Sequence, residues 1–322
     1  MTQNLTVDKF TQNETVKKCI QELHDAFPKD GIPLIVSDVI DNEGHQYVNL
    51  VQKGGGVLGV ALVGYTYVLE QMGIRFIRLA GTSAGAINTA LMAVTGTKQD
   101  TKSEKVLDAI CKLKFIDLVD GHPIAKWLIS KFITHENFTV KVKKWITVIL
   151  LSLALLIVGD FVFLGLQHTI PAMSFFTKLF FVLTGLCLFL IGVIIQNVLT
   201  LLKRLKNSGF GINPGDFFYD WIKKQLLDNG VKTVSDLNNK ASAPIPGLHL
   251  RVDNPEGING LNGDVTFITS ELVSQNKIQF PEMWNLFRKN IDELQPAGFI
   301  RASMSIPVFF ESYFINNIPV ED

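Results

Sequence analysis

The stretch from Gln46 to Ala93, QYVNLVQKGGGVLGVALVGYTYVLEQMGIRFIRLAGTSAGAINTALMA, decides the fold. An apolar run, Tyr47–Val51, enters a glycine-rich turn, and a helical pattern then spans Val57–Met72. A second apolar run, Ile74–Ala80, leads through another turn into a helix of small residues from Ala84. This β-α-β-α order predicts parallel strands joined by a right-handed crossover. Ligands of such sheets bind at the carboxyl ends of the strands, so we expect the two turns to be neighbours.

The second turn, Gly81-Thr82-Ser83-Ala84-Gly85, has the G-x-S-x-G pattern of a nucleophile elbow. Such a turn lifts a serine hydroxyl out of the end of a sheet and exposes it to a substrate. The strained backbone leaves no room for a Cβ on either side of the serine, which explains Gly81 and Gly85. Ser83 is therefore the candidate nucleophile.

The first turn begins Gly54-Gly55-Gly56 and can supply an oxyanion hole. Attack on an acyl carbonyl builds negative charge on its oxygen, which preorganised backbone N–H groups stabilise. Gly54, Gly55 and Gly56 allow the backbone to approach a substrate closely, and the helix that follows adds its positive end. A phosphate-binding turn is the alternative. However, G-x-G-x-x-G fits poorly, no acidic residue closes the strand Ile74–Ala80, and the lysine of a P-loop is missing.

The charge balance argues against one class of partner. The 322 residues include 30 basic and 30 acidic side chains, whereas nucleic-acid-binding domains carry a basic excess. We therefore expect no nucleic-acid partner. The cysteines and histidines lack the paired spacing of a zinc site, so we expect neither a metal nor another cofactor. These residues are Cys19, Cys111, Cys187, His24, His45, His122, His135, His168 and His249.

Two long apolar runs predict a transmembrane helical hairpin. Trp145–Leu166 and Leu179–Leu202 each exceed the roughly 20 residues needed to cross a bilayer. The only charge within them is Asp160, which is costly in a membrane. A pair of buried core helices is the alternative. Basic residues flank both outer ends, so we expect two spans with the rest of the chain on the cytoplasmic side. The flanking residues are Lys141, Lys143, Lys144, Lys203, Arg204 and Lys206.

The sequence resembles the patatin-like phospholipases over about residues 46–130 and 207–315. The two glycine motifs are separated by the number of residues that is typical of this family. Three segments in the second half of the chain also resemble family sequences. The similar segments are K-G-G-G-V-L-G at 53–59, G-T-S-A-G at 81–85, Asn213–Leu237, Phe267–Thr269 and Phe299–Phe310, the last of these similar to A-S-x-S-x-P-x-x-F.

The resemblance implies an α/β, three-layer fold with a mainly parallel sheet, here interrupted by the transmembrane hairpin. It also implies hydrolysis of lipid acyl esters by a Ser–Asp dyad, with Ser83 as nucleophile and Gly54, Gly55 and Gly56 as oxyanion hole. The expected partners are a membrane lipid substrate and the bilayer. The expected domains are an N-terminal extension at 1–45, a first catalytic part at 46–140, the hairpin at 141–206, and an incomplete second catalytic part at 207–322.

The dyad aspartate is not found in this sequence. The family carries it in a D-G-G or D-G-A motif beyond the proline segment, and this chain has neither. The Asp-Gly pairs Asp30-Gly31 and Asp120-Gly121 lie upstream, and Asp322 is the last residue, where a frayed terminus holds geometry poorly. We therefore expect that the sequence stops before the dyad aspartate. The chain as given would then be nearly inactive, and an extended form active.

Three rival interpretations differ in class. A Ser-Asp-His triad would need a late histidine, and only His249 qualifies, inside a strand-like run. A membrane-anchored lipid-binding or scaffold protein with a degenerate hydrolase domain would explain the missing aspartate. A transporter component would explain the hairpin, but two spans with one ionisable residue make a poor pathway.

Overall fold

A computed structural model describes residues 5–28, 34–121, 126, 138–207, 211–252, 258 and 261–315. The chain separates into two compact units. The first combines Met1–Asp120 with Asn213–Asp322, and the second is Gly121–Ile212.

The first unit is built on a six-stranded sheet in the order β5-β1-β2-β3-β6-β7. The central strands β2, β3 and β6 are parallel, and the outer strands β1, β5 and β7 pair antiparallel, with β5 and β7 at the two edges. The predicted α/β class with a mainly parallel sheet is confirmed. The strands of this sheet are β1 Val39–Ile40, β2 Gln46–Gln52, β3 Ile74–Thr82, β5 His249–Leu250, β6 Asp264–Ser270 and β7 Lys277–Phe280. Two further strands, β4 Gly211–Asn213 and β8 Val308–Phe310, form a separate two-stranded sheet.

Helices follow the strands in the predicted β-α-β-α order. The helix after the glycine run begins later than the sequence predicts, because Gly56 has φ +59° and residues Gly56–Gly59 form a 3-10 turn. The α-helices are α1 Val7–Thr11, α2 Glu14–Ala26, α3 Val60–Gln71, α4 Ala84–Val94, α5 Ser103–Cys111, α6 Phe138–Leu166, α7 Met173–Asn207, α8 Asp216–Asp228, α9 Val234–Ser242 and α10 Pro296–Ser303.

The core lies on the sheet face that α4 covers. Small residues of α4, including Ala86 and Ala90, are fully buried. Phe280 of β7 stacks on Phe299 of α10 with ring centroids 4.2 Å apart. Burial of such a side chain contributes about 2–3 kcal/mol. The packing fixes α4 and α10 against the sheet, and both helices border the elbow.

A buried polar network closes the end of the sheet where β2 begins. The Asp41 carboxylate accepts hydrogen bonds from the Tyr47 hydroxyl at 2.9 Å, from His45 Nδ1 at 3.0 Å and from Gln99 Nε2 at 3.4 Å, as well as from two backbone N–H groups. Arg75 Nη2 lies 3.2 Å from His45 Nε2. A guanidinium can only donate, so Nε2 is the acceptor and Nδ1 carries the proton. The network joins the β1–β2 turn to β3.

Replacing Asp41 tests how much this network contributes to the free energy of unfolding. Burial pushes the pKa of Asp41 upward, but the hydrogen bonds from His45 and Tyr47 outweigh it and lower the pKa from 3.8 to about 2. A depressed pKa contributes stability above pH 3.8 that is lost as pH falls through about 2. We expect Asp41→Asn to lower the free energy of unfolding by about 2 kcal/mol at pH 7. Denaturant titrations at several pH values measure this loss.

The loss should shrink between about pH 4 and pH 2. Glu43→Gln is the matched control, because the Glu43 side chain in the same turn is 69% exposed and its Oε2 lies 3.6 Å from His45 Nδ1, beyond hydrogen-bond distance. Equal losses for the two variants at pH 7 would contradict the assignment.

The second unit contains two helices that are long and apolar enough to cross a membrane. The candidate spans are Lys143–Leu166 and Met173–Thr200, and the second begins earlier than its predicted start at Leu179. Asp160 is accommodated between the helices, since Thr184 Oγ1 donates to Asp160 Oδ2 at 2.7 Å. Phe163 of α6 lies 4.9 Å from Phe180 of α7, measured between ring centroids. The two helices therefore pack against each other as a hairpin, with Asp160 and Thr184 in polar contact between them.

Candidate active site

Ser83 stands in a strained turn between β3 and α4. Its φ of 54° and ψ of −124° lie in a region that side-chain-bearing residues rarely adopt. A Cβ on Gly81 would lie 2.6 Å from Thr89 Oγ1 and closer still to the Gly85 carbonyl. A Cβ on Gly85 would meet the carbonyl of Gln52. Both elbow glycines are therefore required by close backbone packing.

The glycine run comes directly against the serine. A Cβ built on Gly54 would lie 3.0 Å from Ser83 Oγ and closer to Ser83 Cβ. Gly55 and Gly56 are exposed at the same turn. Within the part of the chain that the structure describes, no backbone hydrogen bond outside helices and strands engages the N–H of Gly54 or Gly55. The two motifs, separated in sequence by a whole helix, therefore lie together, with the backbone of the glycine run beside the candidate nucleophile Ser83.

The backbone N–H of Ser83 is already occupied. It donates to Ser303 Oγ at 2.9 Å, and Ser303 Oγ donates to the Ile268 carbonyl at 2.6 Å. Thr82 Oγ1 donates to the same carbonyl at 3.3 Å. The N–H of the nucleophile therefore holds the elbow in place and is not an oxyanion donor. The N–H groups of the glycine run remain candidates for that function.

A buried amide pair ties the glycine run to the nucleophile helix. Asn88 Nδ2 donates to Gln52 Oε1 at 2.9 Å, and both side chains are almost fully buried. Gln52 ends β2 immediately before Lys53 and Gly54, while Asn88 lies one turn beyond Ser83 in α4. Sequence reasoning missed this pair. A lone amide in the apolar run Ala84–Val94 is the signal that could have found it.

Arg301 fixes the segment that follows α10. Its side chain is only 2% exposed, and its guanidinium donates to the carbonyls of Pro214 and Glu311 and to Ser305 Oγ. The guanidinium also lies 5.2 Å from the Phe310 ring centroid. Burial lowers the pKa of Arg301, and nearby acidic groups, Asp120 foremost, oppose that shift. The sequence motif covered Arg301 without indicating this role.

None of the described residues supplies a base to Ser83. No hydrogen bond joins Ser83 Oγ to a carboxylate or an imidazole anywhere in the described ranges. Asp120 instead accepts from the N–H groups of Gly215 and Phe217, at 3.0 and 2.9 Å. His249 lies in β5, three strands from β3, and contacts the Gly247 carbonyl at 2.8 Å, so the triad interpretation gains no support.

Two candidate acids, Asp30 and Asp322, lie outside the described residues. Among the described residues, no cluster of three histidine, cysteine or acidic side chains could hold a metal.

A serine at a strained strand–helix turn, facing a glycine run at the carboxyl end of a parallel sheet, is the arrangement of the serine acyl hydrolases. The sequence model of the family described as "Patatin-like phospholipase" matches residues 50–321. The chain belongs to this family of lipid hydrolases, as its motifs predicted.

One curated relative is similar over part of its length. The "Uncharacterized protein YqhO" of Bacillus subtilis (strain 168) is 39% identical over 101 residues, which cover 26% of this chain and 35% of that protein. The chain therefore aligns with about a third of this relative. No solved structure matches the chain significantly.

Gly54→Ala tests the contact between the glycine run and the nucleophile. The added methyl group would intrude on the Ser83 side chain and displace the glycine run, whose N–H groups are the candidate oxyanion donors. We expect labelling of Ser83 by a fluorophosphonate probe to slow about 100-fold. Gly64→Ala is the matched control, because a Cβ there meets nothing within 4 Å. Similar labelling of the two variants would contradict the assigned site.

Proposed function

We propose that this protein is a membrane-associated serine acyl hydrolase that cleaves ester bonds of lipids, including phospholipids, with Ser83 as nucleophile. The observation that carries the proposal is the close packing of Gly54 against the Ser83 side chain, where a Cβ would not fit, at an elbow of positive φ. Membership of the patatin-like phospholipase family supports the lipid ester as substrate class.

The proposed reaction proceeds through an acyl-enzyme. Ser83 Oγ attacks the ester carbonyl carbon, and its proton passes to the dyad carboxylate. N–H groups of Gly54, Gly55 and Gly56 stabilise the oxyanion, a contribution of about 3–4 kcal/mol for each donor. The intermediate then collapses, and the departing alcohol takes the proton. Water activated by the same carboxylate hydrolyses the acyl-serine.

The dyad needs an aspartate that the described residues do not bring to Ser83. The proposal therefore requires a carboxylate from outside those ranges. The competing proposal is an inactive lipid-binding scaffold, and it is supported by the same absence of an aspartate beside Ser83 among the described residues. Labelling of the serine and turnover of the lipid distinguish the two functions, because a scaffold binds lipid vesicles without either.

We expect Ser83→Ala to abolish both fluorophosphonate labelling and release of fatty acid from phospholipid vesicles. The hydroxyl is the only group that forms the acyl bond, so no residual covalent adduct should remain. Ser270→Ala, at the exposed end of β6, is the control and should behave like the unmodified chain. Measurable fatty-acid release that is equal in Ser83→Ala and unmodified protein would refute the proposed nucleophile.

The helical hairpin is proposed to anchor the protein in a bilayer. The candidate spans Lys143–Leu166 and Met173–Thr200 are long and strongly apolar, and their apolar stretches are not buried within the protein. Basic residues before the first span and after the second support a cytoplasmic position for both flanks.

Cysteine labelling tests this topology. Cys19 is exposed on α2, and His168 is exposed between the helices. In a background with Cys111 and Cys187 replaced by alanine, an impermeant maleimide should reach His168→Cys in intact cells. It should reach Cys19 only after permeabilisation. Labelling of both positions from one side, or release of the chain by alkaline carbonate, would count against the anchor.

A further inference from the structure

We propose that Ser303 is a positioning residue of the active site, whose hydroxyl holds the backbone of Ser83 in the conformation that presents the nucleophile. This inference rests on the proposed function. It concerns a residue that contacts the nucleophile's backbone and not the substrate.

The geometry fixes the direction of each hydrogen bond. Ser303 Oγ lies 2.6 Å from the Ile268 carbonyl, which can only accept, so the hydroxyl proton points to Ile268. The lone pairs of Ser303 Oγ are then free to accept the Ser83 N–H at 2.9 Å. A chain of two hydrogen bonds thus runs from the nucleophile to the neighbouring strand β6. Alanine at position 303 would remove both bonds.

The N–H of Ser83 needs this acceptor. Ser83 immediately precedes α4, whose first N–H groups have no partner within the helix. A positive φ at a residue with a side chain is strained and persists only where its surroundings enforce it. Gly54 contacts the Ser83 side chain from one side. Ser303 is the side chain that holds the Ser83 backbone from the other.

Ser303 can act as a fixed acceptor because its helix is rigidly held. Phe299 and Ile300 of α10 are buried in the core. Arg301, two residues before Ser303, binds the carbonyls of Pro214 and Glu311. The hydroxyl at the end of α10 therefore has a defined position relative to β6 and the elbow. The interaction links residues 220 positions apart in sequence, which a local motif cannot indicate.

The test compares Ser303→Ala with Ser103→Ala in the full-length membrane protein. Ser103 is a buried serine of α5 whose hydroxyl donates to Thr66 Oγ1 at 2.9 Å, so its variant also loses a buried hydrogen bond. We expect Ser303→Ala to slow fluorophosphonate labelling of Ser83 and to lower kcat about tenfold, with KM unchanged. Amide hydrogen exchange at Ser83 should accelerate by a similar factor. Ser103→Ala should leave all three unchanged, and Ser303→Thr should restore them.

The outcomes separate this inference from the proposed function. If the unmodified chain labels at Ser83 and Ser303→Ala labels equally fast, the positioning role is wrong while the nucleophile stands. A similar decrease in Ser303→Ala and Ser103→Ala would also overturn it, because general destabilisation would explain both. If no form labels at Ser83 or hydrolyses lipid, the proposed function fails. In that case, amide hydrogen exchange at Ser83 still tests the contact with Ser303. An exchange rate that is unchanged in Ser303→Ala would refute the contact.

Discussion

The active-site half of the fold depends on one backbone contact, between the carbonyl of Gln52 at the end of β2 and Gly85 in the first turn of α4. Any side chain at position 85 would push α4 away from the sheet. With the contact made, β2, β3 and α4 converge at a single point, and the serine between β3 and α4 faces the glycines that follow β2. The site is thus a consequence of close packing between three elements, which only residues without side chains permit.

Polar side chains stabilise the arrangement of β2, β3 and α4 that the glycines permit. The Gln52–Asn88 bond joins β2 to α4 in the buried interior, where its loss would leave Asn88 Nδ2 and Gln52 Oε1 without this partner. Ser303 joins α10 to the elbow and to β6. At the opposite end of the sheet, Asp41 accepts hydrogen bonds from His45 and Tyr47 and so fixes the β1–β2 turn. The apolar core stabilises the fold as a whole, while these few directional bonds determine the geometry at each end of the strands.

Local patterns predicted the strand and the helix on either side of Ser83, because hydrophobic period, glycine position and turn chemistry are encoded in consecutive residues. The β-α-β-α order and the hairpin of apolar helices followed from such patterns. The start of α3 did not, since the positive φ of Gly56 inserts a 3-10 turn. Ser303 and Arg301 lay in a recognised segment, yet their partners Ser83 and Pro214 are distant in sequence. Polar contacts between residues that are distant in sequence produce no local periodicity, so the sequence alone did not predict them.

The point where the hairpin interrupts the first unit has its own physical logic. Asp120, the last residue before the insertion, binds the N–H groups of Gly215 and Phe217 just after it. The two ends of the interrupted chain are therefore held together inside the first unit, so an insertion of any length closes a loop whose ends already meet. Gly215, with φ +78°, also packs against the Arg301 guanidinium, where a Cβ would not fit. Because Arg301 and Ser303 share α10, the junction that carries the hairpin and the elbow that carries Ser83 are fixed to the same short helix. The fold can thus accept the helical hairpin at this junction without changing the geometry of the Ser83 elbow.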